Sequence, residues 1–492
     1  MTATVRVRFA PSPTGYFHLG SARTALYDWL FARHKGGQFV LRIEDTDRTR
    51  YDPAALPDLI ASMRWLGLCW DEGPEVGGDY GPYYQSDRIE LYHEYAEKLL
   101  AQGSAYRCYC SPERLAHLRE QQRQAGETPG YDRHCRYLTQ AQIAEFEAQG
   151  IVPVIRLAAP TEGVTEFDDL LRGHIRVNND QLDDLVLVKS DGFPTYHMAN
   201  VVDDHLMAIT HILRGEEWLS SVPKHVLLYE AFGWEMPVQV HLPTILDPSG
   251  KGKLSKRKKR APDEPERLTY IHEFREAGYL PEAMINMLAL VGWSYDGTQE
   301  YFSRSELVRL FDLNTVNKSP AAFSYEKLDN MNAVYLRNLG HNDLAGRLVQ
   351  ALSRQGVEAD FGKVLALVPL IRERIQTLNE AWDWIDFVFV ESLDYDPEML
   401  IQRKMDREGT LVVLTASRQV LAEADLEDEE ALEARLRSLA DELEVKVGPL
   451  FGTLRVAVTG KTVAPPLLGA LPILGRGKVL ARIDRAIALL QG

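Results

Sequence analysis

The first fifty residues fix the kind of sheet this chain builds. Arg6 to Ala10 (RVRFA) is a short alternating segment, and PSPTG (Pro11 to Gly15) ends it, because two prolines and a glycine break any regular element. From Gly20 to His34, the residues Ala22, Ala25, Leu26, Trp29 and Leu30 recur at helical spacing, and Gly36-Gly37 then stops the helix. QFVLRIED follows as a second strand. Strand, crossover helix and strand form a βαβ unit, so the chain opens as an α/β fold with a parallel sheet.

The rest of the chain is too long for that unit alone. At 492 residues it exceeds a single core, and about two to four domains are expected. Hydrophobic content of 45% and charged content of 26% describe an ordinary globular chain rather than a disordered one. No apolar run is long enough to span a membrane, the N-terminus lacks a signal-peptide pattern, and four cysteines do not make a disulfide scaffold. A cytoplasmic address is expected. The net charge of −16 argues against a nucleic-acid partner if averaged. It is unevenly spread, however: Lys251 to Arg260 (KGKLSKRKKR) is strongly basic, while Leu421 to Glu444 is densely acidic. A local RNA contact stays open.

Texture divides the chain. Arg107 to Thr128 is polar and reads as helix; Ile151 to Leu187 reads as short strands and turns. Residues 96–195 therefore read as an α+β insertion within a split domain, 1–95 and 196–252, whose alternating pattern resumes from Tyr196 to Pro243. Helical patterns dominate afterwards, giving a connecting domain over 253–332 and an all-helical region over 333–492.

Two segments carry chemistry. GYFHLGS (Gly15 to Ser21) lies where a strand hands over to a helix, and free N–H groups at a helix start seat phosphate. Gly15 and Gly20 would let a ligand approach the backbone, and His18 would donate to charge building on an attacked phosphorus. The plainer reading is a capping turn with an incidental histidine. No GxGxxG follows the first strand, and Gly460-Lys461-Thr462 lacks the P-loop glycine, since Arg455 stands there. The second segment, Lys253-Leu254-Ser255-Lys256-Arg257, follows a Gly/Pro-bounded loop that could close over a triphosphate. A solvated charged loop or a nonspecific RNA patch is the alternative.

PSPTGYFHLG resembles the HIGH motif of class I aminoacyl-tRNA synthetases, and KLSKR resembles their KMSKS loop. Longer strings, RFAPSPTG, RIEDTDRTR, GFPTYHMANVVDDHLMAITHILRGEEWL and HLPTILDPSGKGKLSKRK, are similar in order to the bacterial glutamyl-tRNA synthetases. That resemblance implies a Rossmann-like catalytic domain, an insertion that binds the tRNA acceptor end, and a helical anticodon-binding region. It implies ATP and magnesium, L-glutamate and tRNA(Glu) as partners, a monomer, and activation that needs bound tRNA. It implies a glutamate pocket of Arg8, Ala10, Ser12, Glu44, Tyr196, Asn200 and Arg214, with Arg214 at the side-chain carboxylate. Around ATP it implies His18, Gly20, Glu217, Trp218, Leu246, Lys253, Ser255 and Lys256, with His18, Gly20, Lys253 and Lys256 as the catalytic set. The chemistry agrees: glutamate needs two cationic forks and a nearby anion. Taken alone, Arg8 reads equally as a surface charge, Tyr196 as a core aromatic, and Glu44 and Asp47 as magnesium ligands or capping acids. The chain departs from the HIGH pattern at Leu19 and Ser21. Competing readings are a glutaminyl-tRNA synthetase, a shorter tRNA-modifying glutamyl ligase and an inactive tRNA-binding relative.

Cys108-Tyr-Cys110 and Cys135-Arg-Tyr137 resemble the CxC and CxH pairs with which some bacterial members hold structural zinc. Here Tyr137 stands for the histidine and His134 is adjacent; three reduced cysteines without metal is the alternative. Cys69 reads as a small core residue.

Overall fold

A computed structural model describes residues 4–254 and 267–492. These fall into two compact units: residues up to Phe274 together with Met284–Tyr325, and Arg275–Ala283 together with Glu326–Gly492.

In the first unit, β1 (Arg6–Phe9) and β2 (Gln38–Leu41) are parallel, in register from Arg6 opposite Gln38 to Phe9 opposite Leu41. The crossover helix α1 (Leu19–Lys35) buries Ala22, Ala25, Leu26, Trp29 and Leu30, the positions its periodicity marks. Gly36 ends it in the left-handed region at φ 62°, where a side chain would be strained. Helix α2 (Ala55–Leu66) and helix α3 (Ile89–Ala101) follow.

The segment after α3 builds two sheets. β3 (Ala105–Cys108), β4 (Val154–Leu157) and β7 (Val186–Val188) form an antiparallel sheet ordered β3-β4-β7, with α4 (Pro112–Gln124) and α5 (Gln140–Ala148) between β3 and β4. The helix expected from Arg107 thus begins only at Pro112, because Ala105–Cys108 is a strand. β5 (Val164–Asp169) and β6 (Gly173–Asn178) form a hairpin, and β5 pairs with β9 through Asp169 and Gln239. Residues 164–178, grouped with the insertion from sequence, therefore belong to the same sheet as the later strands. Apolar residues of β4 and β7 also share one core with α3, α6 (Tyr196–Leu206) and α7 (Val222–Phe232).

β8 (His211–Gly215) and β9 (Val238–Leu242) are parallel, from His211 opposite Val238 to Gly215 opposite Leu242. Thr210, just before β8, exchanges hydrogen bonds with Arg6: its Oγ1 accepts from Arg6 N at 2.9 Å and its N–H donates to Arg6 O at 2.9 Å. β1 therefore lies between β2 and β8. The chain leaves β1 toward one side first and returns on the other later, which opens a crevice beyond the strand ends. The short β10 (Ile245–Leu246) follows β9 at that end.

The second unit is helical. His341–Arg354 packs on Phe361–Ile371, and Arg407–Glu423 on Arg476–Gln491. In the first of these, Leu344, Leu348, Ala351 and Leu352 form the buried face, the spacing of an amphipathic helix. Among the described residues no helix is long and apolar enough to cross a membrane.

Candidate active site

A cleft of about 1180 Å³ opens beyond the ends of β1, β2 and β8. Arg8, Ala10, Ser12, His18, Gly20, Glu44, Tyr196, Asn200, Arg214, Glu217, Trp218 and Lys253 all line it. Twelve residues read from separate strings thus share one cavity.

Its inner end is a buried ionic layer. Arg8 and Arg42 both reach Asp204 Oδ1, at 3.0 and 2.8 Å; Arg42 also reaches Glu44 at 3.0 Å, and Arg88 reaches Asp203 at 2.7 Å. The Asn200 amide lies 3.3 Å from Glu44 Oε1. Three guanidinium groups meet three carboxylates, so none is left uncompensated in low dielectric. Burial lifts the Glu44 carboxyl above its usual range against the pull of Arg42 and Arg8. Asp28 is buried, its carboxylate oxygens have no hydrogen-bond partner among the described residues, and desolvation pushes its carboxyl well above the usual carboxylate range.

Arg214 differs. It is only 6% exposed, yet it makes no ion pair among the described residues; its partners are Tyr196 Oη at 3.0 Å, His241 and Gln239. A buried cation facing a cleft with no anion of its own is poised for an anionic ligand. The ring of Trp218 packs on Tyr196, with centroids 4.4 Å apart.

The outer end is more open. His18 N-caps α1, its ring accepting from the Ser21 N–H at 3.2 Å, so the capping role is real whatever else it does. A Cβ on Gly20 would sit 3.1 Å from the His18 ring, so a side chain there would push on that ring. Gly15 has open space where a side chain would go, so close packing does not require glycine at that position. Lys253 reaches Glu217 at 3.4 Å, and Thr269 O accepts from Leu19 N at 3.1 Å. One border of the basic loop, at Thr269, therefore meets the turn that carries His18, and the other, at Lys253, meets Glu217 after β8. Ser255 and Lys256 lie outside the described residues. Leu246 is not in the cleft wall; its carbonyl accepts from Phe323 N at 3.2 Å. Asp47 caps a local turn, holding Thr49 and Arg50, the first of which draws its carboxyl down to about 2.

Residues 4–330 match the family of class I tRNA synthetases (E and Q), catalytic domain, and residues 343–487 match the anticodon binding domain. A glutamate–tRNA ligase of Dehalococcoides mccartyi is 49% identical over 496 residues, covering 100% of this chain and 99% of the relative. One from Roseiflexus sp. is 49% identical over 500 residues, covering 99% and 97%. A crystal structure of a glutamate tRNA ligase from Elizabethkingia meningosepticum in complex with its amino acid superposes with a TM-score of 0.87 at 38% identity, covering 99% of each chain. The chain belongs to the glutamate–tRNA ligases.

For a glutamate–tRNA ligase, what sequence reading missed is the scaffold around the pocket: Arg42, Arg88, Asp203 and Asp204. The available signal was the Asp203-Asp204 pair inside the apolar helix face Val201, Val202 and Met207. Away from this pocket, the Sγ atoms of Cys108, Cys110 and Cys135 lie within 4.8 Å of one another. The fourth group facing them is Tyr131, whose Oη is 3.3 Å from Cys108 Sγ and 3.6 Å from Cys110 Sγ. This corrects the expectation for Tyr137, which is 79% exposed, because the short helical turn at His134–Tyr137 buries Cys135 and turns the tyrosine outward. His134 is exposed as well. A hydrogen bond from the Cys135 thiol, more than those from Tyr131 and Arg156, draws Cys108 well below the ordinary thiol range. Cys69 is exposed rather than in the core.

Proposed function

We propose that this cleft activates L-glutamate with ATP and transfers the glutamyl group to the 3′ end of tRNA(Glu). The observation that carries the reading is Arg214, buried beside a charge-neutral layer and without an ion pair among the described residues. Glutamate at neutral pH carries one net negative charge, which suits the guanidinium of Arg214, bonded to neutral partners among the described residues; glutamine carries none. The side-chain carboxylate would meet Arg214, the ammonium Glu44, and the α-carboxylate the neighbourhood of Arg8, with Ala10, Ser12, Tyr196 and Asn200 shaping the wall.

In the first step an α-carboxylate oxygen attacks the α-phosphorus of ATP, and pyrophosphate leaves. The carboxylate is already a nucleophile, so alignment and charge stabilisation suffice. His18, beside Gly20 at the start of α1, and Lys253 with Lys256 would stabilise charge on the phosphates, with magnesium on ATP, while Glu217 and Trp218 border the nucleotide. In the second step a terminal ribose hydroxyl of the tRNA takes the acyl group and AMP leaves. Neither a glutaminyl enzyme nor an inactive relative is favoured. The test is a charging assay with each of twenty amino acids, ATP and purified tRNAs. Glutamate should be joined to tRNA(Glu), and glutamine should fail; charging of any other amino acid in preference would overturn the reading. Light scattering should give a monomer.

We further propose that Cys108, Cys110, Cys135 and Tyr131 hold a structural zinc. Three thiolates and a phenolate on Zn²⁺ leave two negative charges, and two cations are at hand: Arg114 Nη1 is 3.5 Å from Cys110 Sγ, and the Arg156 guanidinium lies 4.0 Å from the Tyr131 ring centroid. Elemental analysis should find about one zinc per chain. Tyr131→Phe should weaken retention against a chelator, while Tyr137→Phe should not; the reverse pattern would refute the ligand set.

A further inference from the structure

Among the described residues Arg214 is held by three acceptors, and none of them is charged. Its Nε donates to His241 Nε2 at 3.0 Å, Nη1 to Tyr196 Oη at 3.0 Å, and Nη2 to Gln239 Oε1 at 3.4 Å. The Gln239 amide is fixed the right way round because its Nε2 donates to the Pro237 carbonyl at 2.9 Å. His241 is fully buried, with Nδ1 2.7 Å from Asp169 Oδ2, which also accepts from the His241 backbone N–H at 3.1 Å. A carboxylate only accepts, so Nδ1 carries the proton and Nε2 presents a bare lone pair to Arg214. Desolvation keeps the imidazole below its ordinary pKa although Asp169 pulls the other way. The ring stays neutral.

We propose that His241, oriented by Asp169, is a positioning and specificity residue that fixes the Arg214 guanidinium without neutralising it. The charge is thereby kept for the side-chain carboxylate of the bound amino acid. Asp169 stands on the far side of the imidazole, bonded to Nδ1 and not to Arg214. A carboxylate placed directly on Arg214 would cancel its charge inside the protein, and a side-chain amide would then fit the pocket about as well as a carboxylate. Two hydrogen bonds accepted from Arg214 by the neutral His241 and Gln239 give the same geometry with the charge left over. This rests on the glutamate reading of the cleft.

Three full-length variants separate this role from simple packing. His241→Gln carries an oxygen far enough to accept from Arg214 but gives up Asp169; His241→Asn retains a donor to Asp169 and stops short of Arg214. Gln239→Glu is nearly isosteric and sets a carboxylate on the guanidinium, so the test survives if a His241 variant does not fold. The readouts are KM for glutamate, KM for ATP and the glutamate-over-glutamine ratio. His241→Asn and Gln239→Glu should each raise KM for glutamate at least about tenfold, with KM for ATP within about twofold, the split expected when one ligand's contact is lost. Gln239→Glu should also narrow the glutamate-over-glutamine ratio, and His241→Gln should stay within about threefold of wild type. If His241→Asn is no worse than His241→Gln, or Gln239→Glu leaves KM for glutamate unchanged, the proposal is overturned. A wild-type chain that fails to use glutamate would instead remove the reading beneath it.

Discussion

The two ends of the cleft are built on opposite principles. At the inner end, Arg8, Arg42, Asp203 and Asp204 are at most 4% exposed in their side chains and are locked in mutual ion pairs. At the outer end, Lys253 and Glu217 are 62% and 52% exposed and 3.4 Å apart. The inner charges cannot rearrange without leaving a buried ion unpaired, whereas an exposed pair is worth little and parts readily. The proposed function thus assigns selectivity to the rigid end, and the transient handling of phosphate to the loose one.

Arg214→Ala gives the largest expected break in that contrast. It should lower kcat/KM for glutamate by about 1000-fold, roughly 4 kcal/mol, the scale for removing one partner of a desolvated charge pair. A loss below about tenfold would mean that the inner end does not read the side chain. Asp204→Asn comes next. It removes the carboxylate shared by Arg8 and Arg42 and should destabilise the fold by about 3 kcal/mol, seen as a lower denaturation midpoint. An unchanged midpoint would show that the layer does not stabilise the fold.

The third effect is set by pH. Burial, and then Lys224 and Arg214, hold His197 down at about 4. The unfolded chain binds the proton first as pH falls below about 6.5, so this contribution is complete above that value and is lost toward pH 4. Wild type should lose about 2 kcal/mol between pH 8 and pH 5 from this group, and His197→Gln should flatten that part of the slope. Equal slopes would assign the acid sensitivity elsewhere. Smallest is Lys253→Ala, expected to slow adenylate formation roughly tenfold with KM for glutamate and the denaturation midpoint unmoved, since an exposed cation acts mainly on transition-state charge. A shift in KM for glutamate instead would erase the division between the two ends.

What was legible in the sequence follows the same division between local and long-range physics. The opening β1–α1–β2 unit could be read because Ala22, Ala25, Leu26, Trp29 and Leu30 encode their face within one helix. The place of the β5–β6 hairpin could not, because it depends on a single register between Asp169 and Gln239, seventy residues apart. Arg8, Glu44 and Arg214 were found through the strings around them. Arg42 and Asp204 were passed over because a charge in a strand or helix looks like a solvated one until tertiary packing buries it. Tyr131 escaped for a related reason: its approach to Cys108 is made by a returning loop, whereas Tyr137 merely stood at an expected spacing.

Asp169 closes β5, and its Oδ1 accepts from the N–H groups of Leu171 and Arg172 at 3.0 and 2.8 Å while its Oδ2 holds His241. The tip of a surface hairpin and the selectivity of a pocket are thus machined from one side chain. Chimaeras that exchange residues 169–172 for a loop of another length should keep the β5–β6 pairing from Val164 to Asp168 yet lose their choice of amino acid, so swap junctions belong outside that turn.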